Sequence, residues 1–279
     1  MKKWKTLLAA TALTLGLAAC NQTAQPTDSG VADKSDMTLK EVYAKSIEVS
    51  EQLKSVKVQM TLDQKMNMPG EEEINMVADM DMDVVIDPIQ IYQKGTTSMI
   101  MGEGMEEDMD IEAYLSTESF YMFESTTGQW MKLPQDMMDE LMGSTDQSNP
   151  AEQLQMLEEY LEDFTFEQDD KNYILKMNAS GEKFTALIQA QVDEALKGLG
   201  DSEGIDMDYT INSLNYVLHI DKETFQTNKV DMVMDMVMTM DGETVTMIQD
   251  LKTTYSNFNE LTEITVPQEI VESAVEIEI

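Results

Sequence analysis

The sequence predicts an α+β domain built on one long, strongly curved antiparallel sheet, with helices covering its concave face. Two pairs of segments alternate between apolar and polar residues over long stretches, which is typical of strands with one buried face. About ten strands and four helices are recognised, and the irregular placement of the helices disfavours a parallel sheet. A strand of about 13 residues is ~43 Å long, so the sheet must coil and needs cover on its concave side.

The N-terminus has the features of an export signal. Three lysines among the first five residues precede a short apolar run, and small residues lead to Cys20, the only cysteine of the chain. The tetrapeptide 17–20, Leu-Ala-Ala-Cys, resembles the bacterial lipobox, in which the signal peptide is cut before the cysteine and a lipid is attached to its sulfur. The alternative is an ordinary secretory signal with an incidental cysteine.

We therefore predict a signal peptide over residues 1–19 and a lipid on Cys20. A flexible polar tether follows over 20–36, and a single domain covers 37–279. The protein is then held at the outer face of the bacterial cell membrane by its N-terminal lipid. Because the formal net charge is −36, anionic headgroups repel the protein, and the acyl chains must supply the attachment.

The first helix is predicted from Thr38 to about Lys54. Thr38 and Glu41 fit a capping box, and Met37 with Val42 fits the hydrophobic staple around it. An apolar stripe at helical spacing indicates the face that packs on the sheet.

The next two segments form a predicted hairpin whose even-numbered residues are apolar. Both apolar sets have even numbers, so a loop with an odd number of residues is required to place them on one face. A five-residue loop, Pro69 to Glu73, sets Met60 against Met82 and Val58 against Val84. Every buried side chain then faces another buried side chain.

A second hairpin is predicted in the C-terminal half, around the two-residue turn Asp241-Gly242. With this turn, Met236 opposes Met247 and Met232 opposes Leu251, all on one face.

Shorter elements lie between the hairpins. Strands are predicted near 89–101, 110–115, 119–124, 129–133, 173–177 and 209–221. Helices are predicted over 134–142, from Asn149 to about Phe164, and over 181–199.

Several segments resemble a set of mostly uncharacterised Gram-positive lipoproteins, which are similar in turn to the LolA, LppX and LprG class. The resemblance rests on residues 114–122 and 127–132, on 216–225, and on the closing Ile-Thr-Val-Pro at 264–267. It implies a half-open β-barrel whose hollow, closed by helices, holds acyl chains, and it implies a lipid or lipoglycan as ligand. The quoted segments contain aromatic and turn residues, so the resemblance carries no catalytic residues.

Composition excludes nucleic-acid binding. The 54 acidic residues face 18 basic ones, all of them lysine, so the chain lacks the basic surface and the arginine fork that phosphate contacts use.

Methionine is unusually frequent, with 26 residues. Thioether side chains are adaptable, so a methionine-lined hollow suits acyl chains of variable length. Cu(I) binding and simple core packing are the alternatives. Copper is disfavoured because alternate methionines on one strand are ~6.6 Å apart and no histidine joins them. The residues expected to line the hollow are Val58, Met60, Leu62, Met76, Met80, Met82, Val84, Met232, Met234, Met236, Met238, Met247 and Leu251.

Other polar residues indicate no dedicated site. The aspartates at 79, 81, 83, 231 and 235 lack the order of an EF-hand loop and fit a solvated sheet face. His219 is the only histidine, and no serine-nucleophile motif or zinc-ligand spacing is present. No catalytic residue, metal site or cofactor is therefore predicted, although the many acids leave a two-carboxylate glycosidase open.

We therefore predict a non-enzymatic surface lipoprotein that binds or relays a lipid or other amphiphile. The alternative is a lipoprotein with a filled core that serves protein contacts or envelope maintenance. The sequence names no protein partner.

Overall fold

The fold is that of a computed structural model. It describes residues 23–27, 35–70, 72–102, 104–134, 138, 150–180, 184–185, 207–240 and 243–277.

Helix α1, Leu39–Glu51, begins as the sequence predicts. Thr38 accepts a hydrogen bond from the backbone N–H of Glu41, and the Glu41 side chain accepts one from the backbone N–H of Thr38, which completes the capping box. Helix α2 is Pro150–Leu157, a 3₁₀ helix follows over Glu158–Asp163, and α3 is Gln268–Ser273.

Thirteen strands make up the rest of the described fold. They are β1 (Gln25–Pro26), β2 (Ser55–Asn67), β3 (Ile74–Val85), β4 (Gln90–Met101), β5 (Met105–Leu115), β6 (Phe120–Glu124), β7 (Gln129–Lys132), β8 (Phe164–Gln168), β9 (Asn172–Ala179), β10 (Met207–Asp221), β11 (Thr227–Met240), β12 (Glu243–Ser256) and β13 (Val275–Glu276).

All thirteen strands belong to one sheet, in the order β1-β8-β9-β10-β11-β12-β2-β3-β4-β5-β6-β7-β13. Every neighbouring pair is antiparallel except the two outermost, β1 with β8 and β13 with β7. Within the described residues, β1 and β13 do not pair with each other, so the sheet is not closed into a barrel. The predicted class, an α+β fold on a long antiparallel sheet that stays open, is confirmed.

The core lies between the helices and one face of the sheet. Tyr43 of α1 and Leu154 of α2 are buried in the same cluster as Leu175, Leu218 and Met236 on the strands. We call the face that carries these strand residues the inner face.

The register of the first hairpin differs from the prediction by two residues. Met60 pairs with Met80 rather than with Met82, and seven residues separate the last pair, Met66 and Ile74. The five-residue loop is therefore wrong. A shift by an even number leaves every side chain on its face, so the predicted inner face is confirmed.

The second hairpin has the predicted register. Met236 pairs with Met247, and Met232 pairs with Leu251. The turn residues Asp241 and Gly242 themselves lie outside the described residues.

The helix predicted from Asn149 to about Phe164 extends too far toward the C-terminus, because α2 ends at Leu157 and the 3₁₀ helix at Asp163. Phe164, placed on a helical stripe by the sequence, instead begins β8, where it and Phe166 are buried while Thr165 between them is exposed. The alternation of aromatic and β-branched residues favours a strand here. The helices predicted over 134–142 and 181–199 lie almost wholly outside the described residues.

Residues 23–27, which the sequence analysis places in the tether, lie along the sheet. Gln25 and Pro26 pair with β8, and the backbone N–H of Thr27 donates to the carbonyl oxygen of Gln168 over 2.9 Å. Ala24 is fully buried in the core.

Candidate functional site

All thirteen residues predicted to line a hollow lie on the inner face, because the observed pairings join their positions across β11, β12, β2 and β3. They do not all lie in one site. Met232 and Leu251 line the cavity described below. Met234 and Met236 belong to the packed core, with Met238 and Met247 partly buried against it. The remaining seven are buried or half-buried side chains of β2 and β3: Val58, Met60, Leu62, Met76, Met80, Met82 and Val84.

A cavity of about 190 Å³ lies between the C-terminal half of α1, helix α2 and the inner face of β10, β11, β12 and β2. Apolar cavities of ~150 Å³ take up benzene-sized ligands, so this volume is sufficient for a short length of hydrocarbon. The lining consists of Val49, Ser50, Leu53, Val56, Gln153, Leu154, Tyr216, Leu218, Gln226, Thr227, Val230, Met232, Leu251, Thr253, Tyr255 and Phe258.

None of these sixteen residues carries a charge. The only ionisable side chains among them are Tyr216 and Tyr255, and burial raises the pKa of both phenols above the usual value. Both therefore remain neutral at physiological pH. The cavity can offer hydrogen bonds from hydroxyl and amide groups, but the lining offers no ion pair.

The two helices that cover the cavity are joined by a buried hydrogen bond. The hydroxyl of Tyr43 donates to the backbone carbonyl of Leu154 over 2.6 Å. Leu154 lies in the last turn of α2, which continues directly into the 3₁₀ helix. Tyr43 thus fixes α2, and with it the cavity-lining Leu154 side chain, to α1.

Most of the cavity lining was missed by the sequence analysis, whose list of lining residues was drawn only from strands. Ser50 and Leu53 are on the apolar stripe of the predicted first helix, so their spacing places them toward the sheet. Spacing alone does not show whether such residues pack tightly or line a space.

The aspartates of β3 lie on the outer face, as the alternation requires. Asp83 is 3.3 Å from the Lys57 ammonium group, and the side-chain amide of Gln59 donates to Asp81 over 2.9 Å. In the described part of the chain, His, Cys, Asp and Glu side chains form no group of three that could hold a metal ion.

His219 lies half-buried on β10, next to Lys229 of β11. Burial, followed by the charge of Lys229, lowers its pKa, so the imidazole is neutral at pH 7. Its cross-strand neighbour on the other side is Ile174, and the charges of Asp231 and Asp169 partly offset the lowering of its pKa.

Among the described residues, no helix is long and apolar enough to cross a membrane.

Comparison with solved structures found lipoproteins and related proteins at low identity. LprF from Mycobacterium bovis is 14% identical, with a TM-score of 0.40, covering 82% of this chain and 96% of that one. LppX from Mycobacterium tuberculosis is 13% identical, with a TM-score of 0.38, covering 83% and 100%. A LolA-superfamily protein from Nitrosomonas europaea is 11% identical, with a TM-score of 0.20, covering 84% and 97%. LppX and the LolA superfamily, which the sequence analysis names, are thus among the matches.

The comparison with curated proteins found no match. A family model does match most of the chain, over residues 38–275, from the N-cap of α1 to β13. The chain therefore belongs to the family of unknown function DUF6612.

Proposed function

We propose that this protein is a lipid-anchored lipoprotein of the outer face of the cell membrane that shelters the hydrocarbon part of an amphiphile without enzymatic activity. The observation that carries the proposal is the uncharged cavity between α1, α2 and the sheet. In a chain with a net charge of −36, sixteen lining residues without a charge form a distinctly apolar environment.

The inner face around the cavity supports the same proposal. Methionine side chains adjust their three torsions to irregular partners, and Met232 supplies such a side chain to the cavity wall. A volume of about 190 Å³ holds one end of such a chain rather than a whole lipid, and the ligand's polar part then remains outside.

The anchor is proposed from the sequence around Cys20. Substituting Cys20→Ser should leave the precursor unprocessed and abolish incorporation of labelled palmitate in cells. Label that persists in the variant would contradict the anchor, because the chain contains no other thiol.

The cavity is tested with two variants on one strand. Met232 lines the cavity, whereas Met234, two residues on and on the same face, is packed in the core. Met232→Trp should fill the space and abolish saturable uptake of a fluorescent acyl probe with little change in Tm. The matched control Met234→Trp should lower the stability by about 1–3 kcal/mol through overpacking, while the folded fraction still takes up the probe.

Native mass spectrometry of the Cys20→Ser protein lacking residues 1–19 provides an independent test. An amphiphile that co-purifies with this protein but not with its Met232→Trp variant supports the proposal. If the unsubstituted protein neither carries a lipid nor binds the probe, the better account is a lipoprotein with a filled core that serves protein contacts.

A further inference from the structure

The register of the sheet brings methionines from five strands into one line on the inner face. Successive cross-strand partners join β11, β12, β2, β3, β4 and β5, and only the β3 position is not methionine. We call this line the methionine row; in strand order it consists of Met236, Met247, Met66, Ile74, Met101 and Met105.

The methionine row is long enough for a helical peptide. Met236 is 5% exposed and packed in the core, so the accessible part of the row runs over the five strands from Met247 to Met105. Five strands spaced ~4.8 Å apart span ~19 Å, which corresponds to a helix of ~13 residues. At the end of the row Met105 is 63% exposed. Met66, Met101 and Met247 are half-buried.

Acidic residues surround the methionine row. The loop between β2 and β3 carries the exposed carboxylates Glu72 and Glu73. The alternation that places Met105 and Met247 on the inner face also places there the exposed Glu107 of β5 and Glu243 of β12. Lys65 is the only lysine in the segments 64–76, 97–110 and 234–249 that contain the row. An apolar line thus lies within a strongly negative field.

We propose that the methionine row docks a cationic amphipathic peptide in helical form. The peptide's apolar stripe would lie on the thioethers, which adapt to different side chains, and its lysines or arginines would meet the surrounding carboxylates. The charges would also steer the peptide to this face and raise the association rate. An anionic membrane surface or a second copy of this acidic chain would be repelled at the same place.

This surface is separate from the cavity. Met232 and Leu251 line the cavity, and the row crosses the same two strands four residues away, at Met236 and Met247. Four residues of strand correspond to ~13 Å. A result on peptide binding therefore leaves the proposed lipid-binding function unaffected, and the reverse also holds.

The test measures fluorescence anisotropy of labelled 16-residue peptides with the Cys20→Ser protein lacking residues 1–19. The first peptide contains leucines at helical spacing and lysines on the other face. The second has the same composition in a scrambled order, and in the third every lysine is replaced by glutamate. We expect saturable binding of the first peptide, at least about tenfold weaker binding of the scrambled one, and no binding of the glutamate peptide.

Variants then locate the surface. The double variant Met101→Gln, Met105→Gln should weaken binding by about tenfold, whereas Met101→Leu, Met105→Leu should retain it. Met122→Gln is the matched control, because Met122 is 39% exposed on β6 and lies outside the row. Glu107→Gln, Glu243→Gln should weaken binding and reduce its dependence on salt.

Three results would overturn the proposal. Equal affinity for the ordered and the scrambled peptide would indicate charge attraction without an apolar surface. Equal effects of the Met101/Met105 and Met122 substitutions, at unchanged Tm, would place the peptide elsewhere. If the protein does not bind the first peptide at low salt, the methionine row is not a docking surface for cationic amphipathic peptides.

Discussion

The hydrogen bond between α1 and α2 gives the most direct prediction about the architecture of the site. Tyr43→Phe removes the hydroxyl that donates to the buried Leu154 carbonyl over 2.6 Å. The loss of one intramolecular hydrogen bond costs about 0.5–1.5 kcal/mol. For a domain of this size, each kcal/mol corresponds to ~2–4 °C, so Tm should fall by about 1–6 °C.

The effect should persist at alkaline pH, because burial raises the pKa of Tyr43 far above its usual value and keeps the hydroxyl protonated. Thermal unfolding followed by circular dichroism measures the change. Tyr92→Phe is the control, since the Tyr92 hydroxyl donates over 2.9 Å to the Glu112 carboxylate in a half-buried environment, where water can replace it. If Tyr43→Phe lowers Tm no more than Tyr92→Phe, the described contact between the two helices is wrong.

Three further predictions concern the sheet. Gly95→Ala should destabilise the fold by about 1–3 kcal/mol in denaturant titrations, because the added methyl group would overlap the backbone of β3; a neutral effect would contradict the described packing. In the Cys20→Ser protein, cysteines substituted at Met60 and Met80 should crosslink under mild oxidation more readily than cysteines substituted at Met60 and Met82. The opposite preference would support the register with the five-residue loop. Hydrogen bonds from Thr127 and Thr126 lower the pKa of Glu124 to about 2. The carboxylate therefore stabilises the turn above pH 4.5, and this contribution is lost as the pH falls toward 2. An NMR titration that gives Glu124 the ordinary pKa of 4.5 would refute this prediction.

The contrast between the two hairpins shows what an alternating sequence can and cannot specify. The two-residue Asp241-Gly242 connection leaves a single register, and the predicted pairing of Met236 with Met247 is confirmed. Between β2 and β3 the connection is longer, and the inner residues are nearly equivalent. Moving Met60 from Met82 to Met80 exchanges one methionine for another, so the hydrophobic pattern does not distinguish registers that differ by two.

The cavity could not be predicted in the same way, because it depends on how a helix crosses the sheet. The alternation in β11 identifies Met232 and Met234 equally as inner residues, yet one lines the cavity and the other is packed in the core. The difference arises from the first helix. Leu39, Val42, Tyr43 and Ser46 of α1 are buried, while Val49 of α1 and Leu53, just beyond its end, line the space. Sequence periodicity gives the face of each element, but the distance between two faces is set by packing.

An open sheet of this size exposes two edges, and an exposed edge is a template for pairing with other chains. In the described fold each edge is occupied by a two-residue strand, β1 along β8 and β13 along β7, both in the parallel orientation. Such short strands offer few unpaired backbone groups, and Pro26 in β1 has no N–H to donate. Short edge strands of this kind limit edge-to-edge pairing of a sheet that is not closed into a barrel.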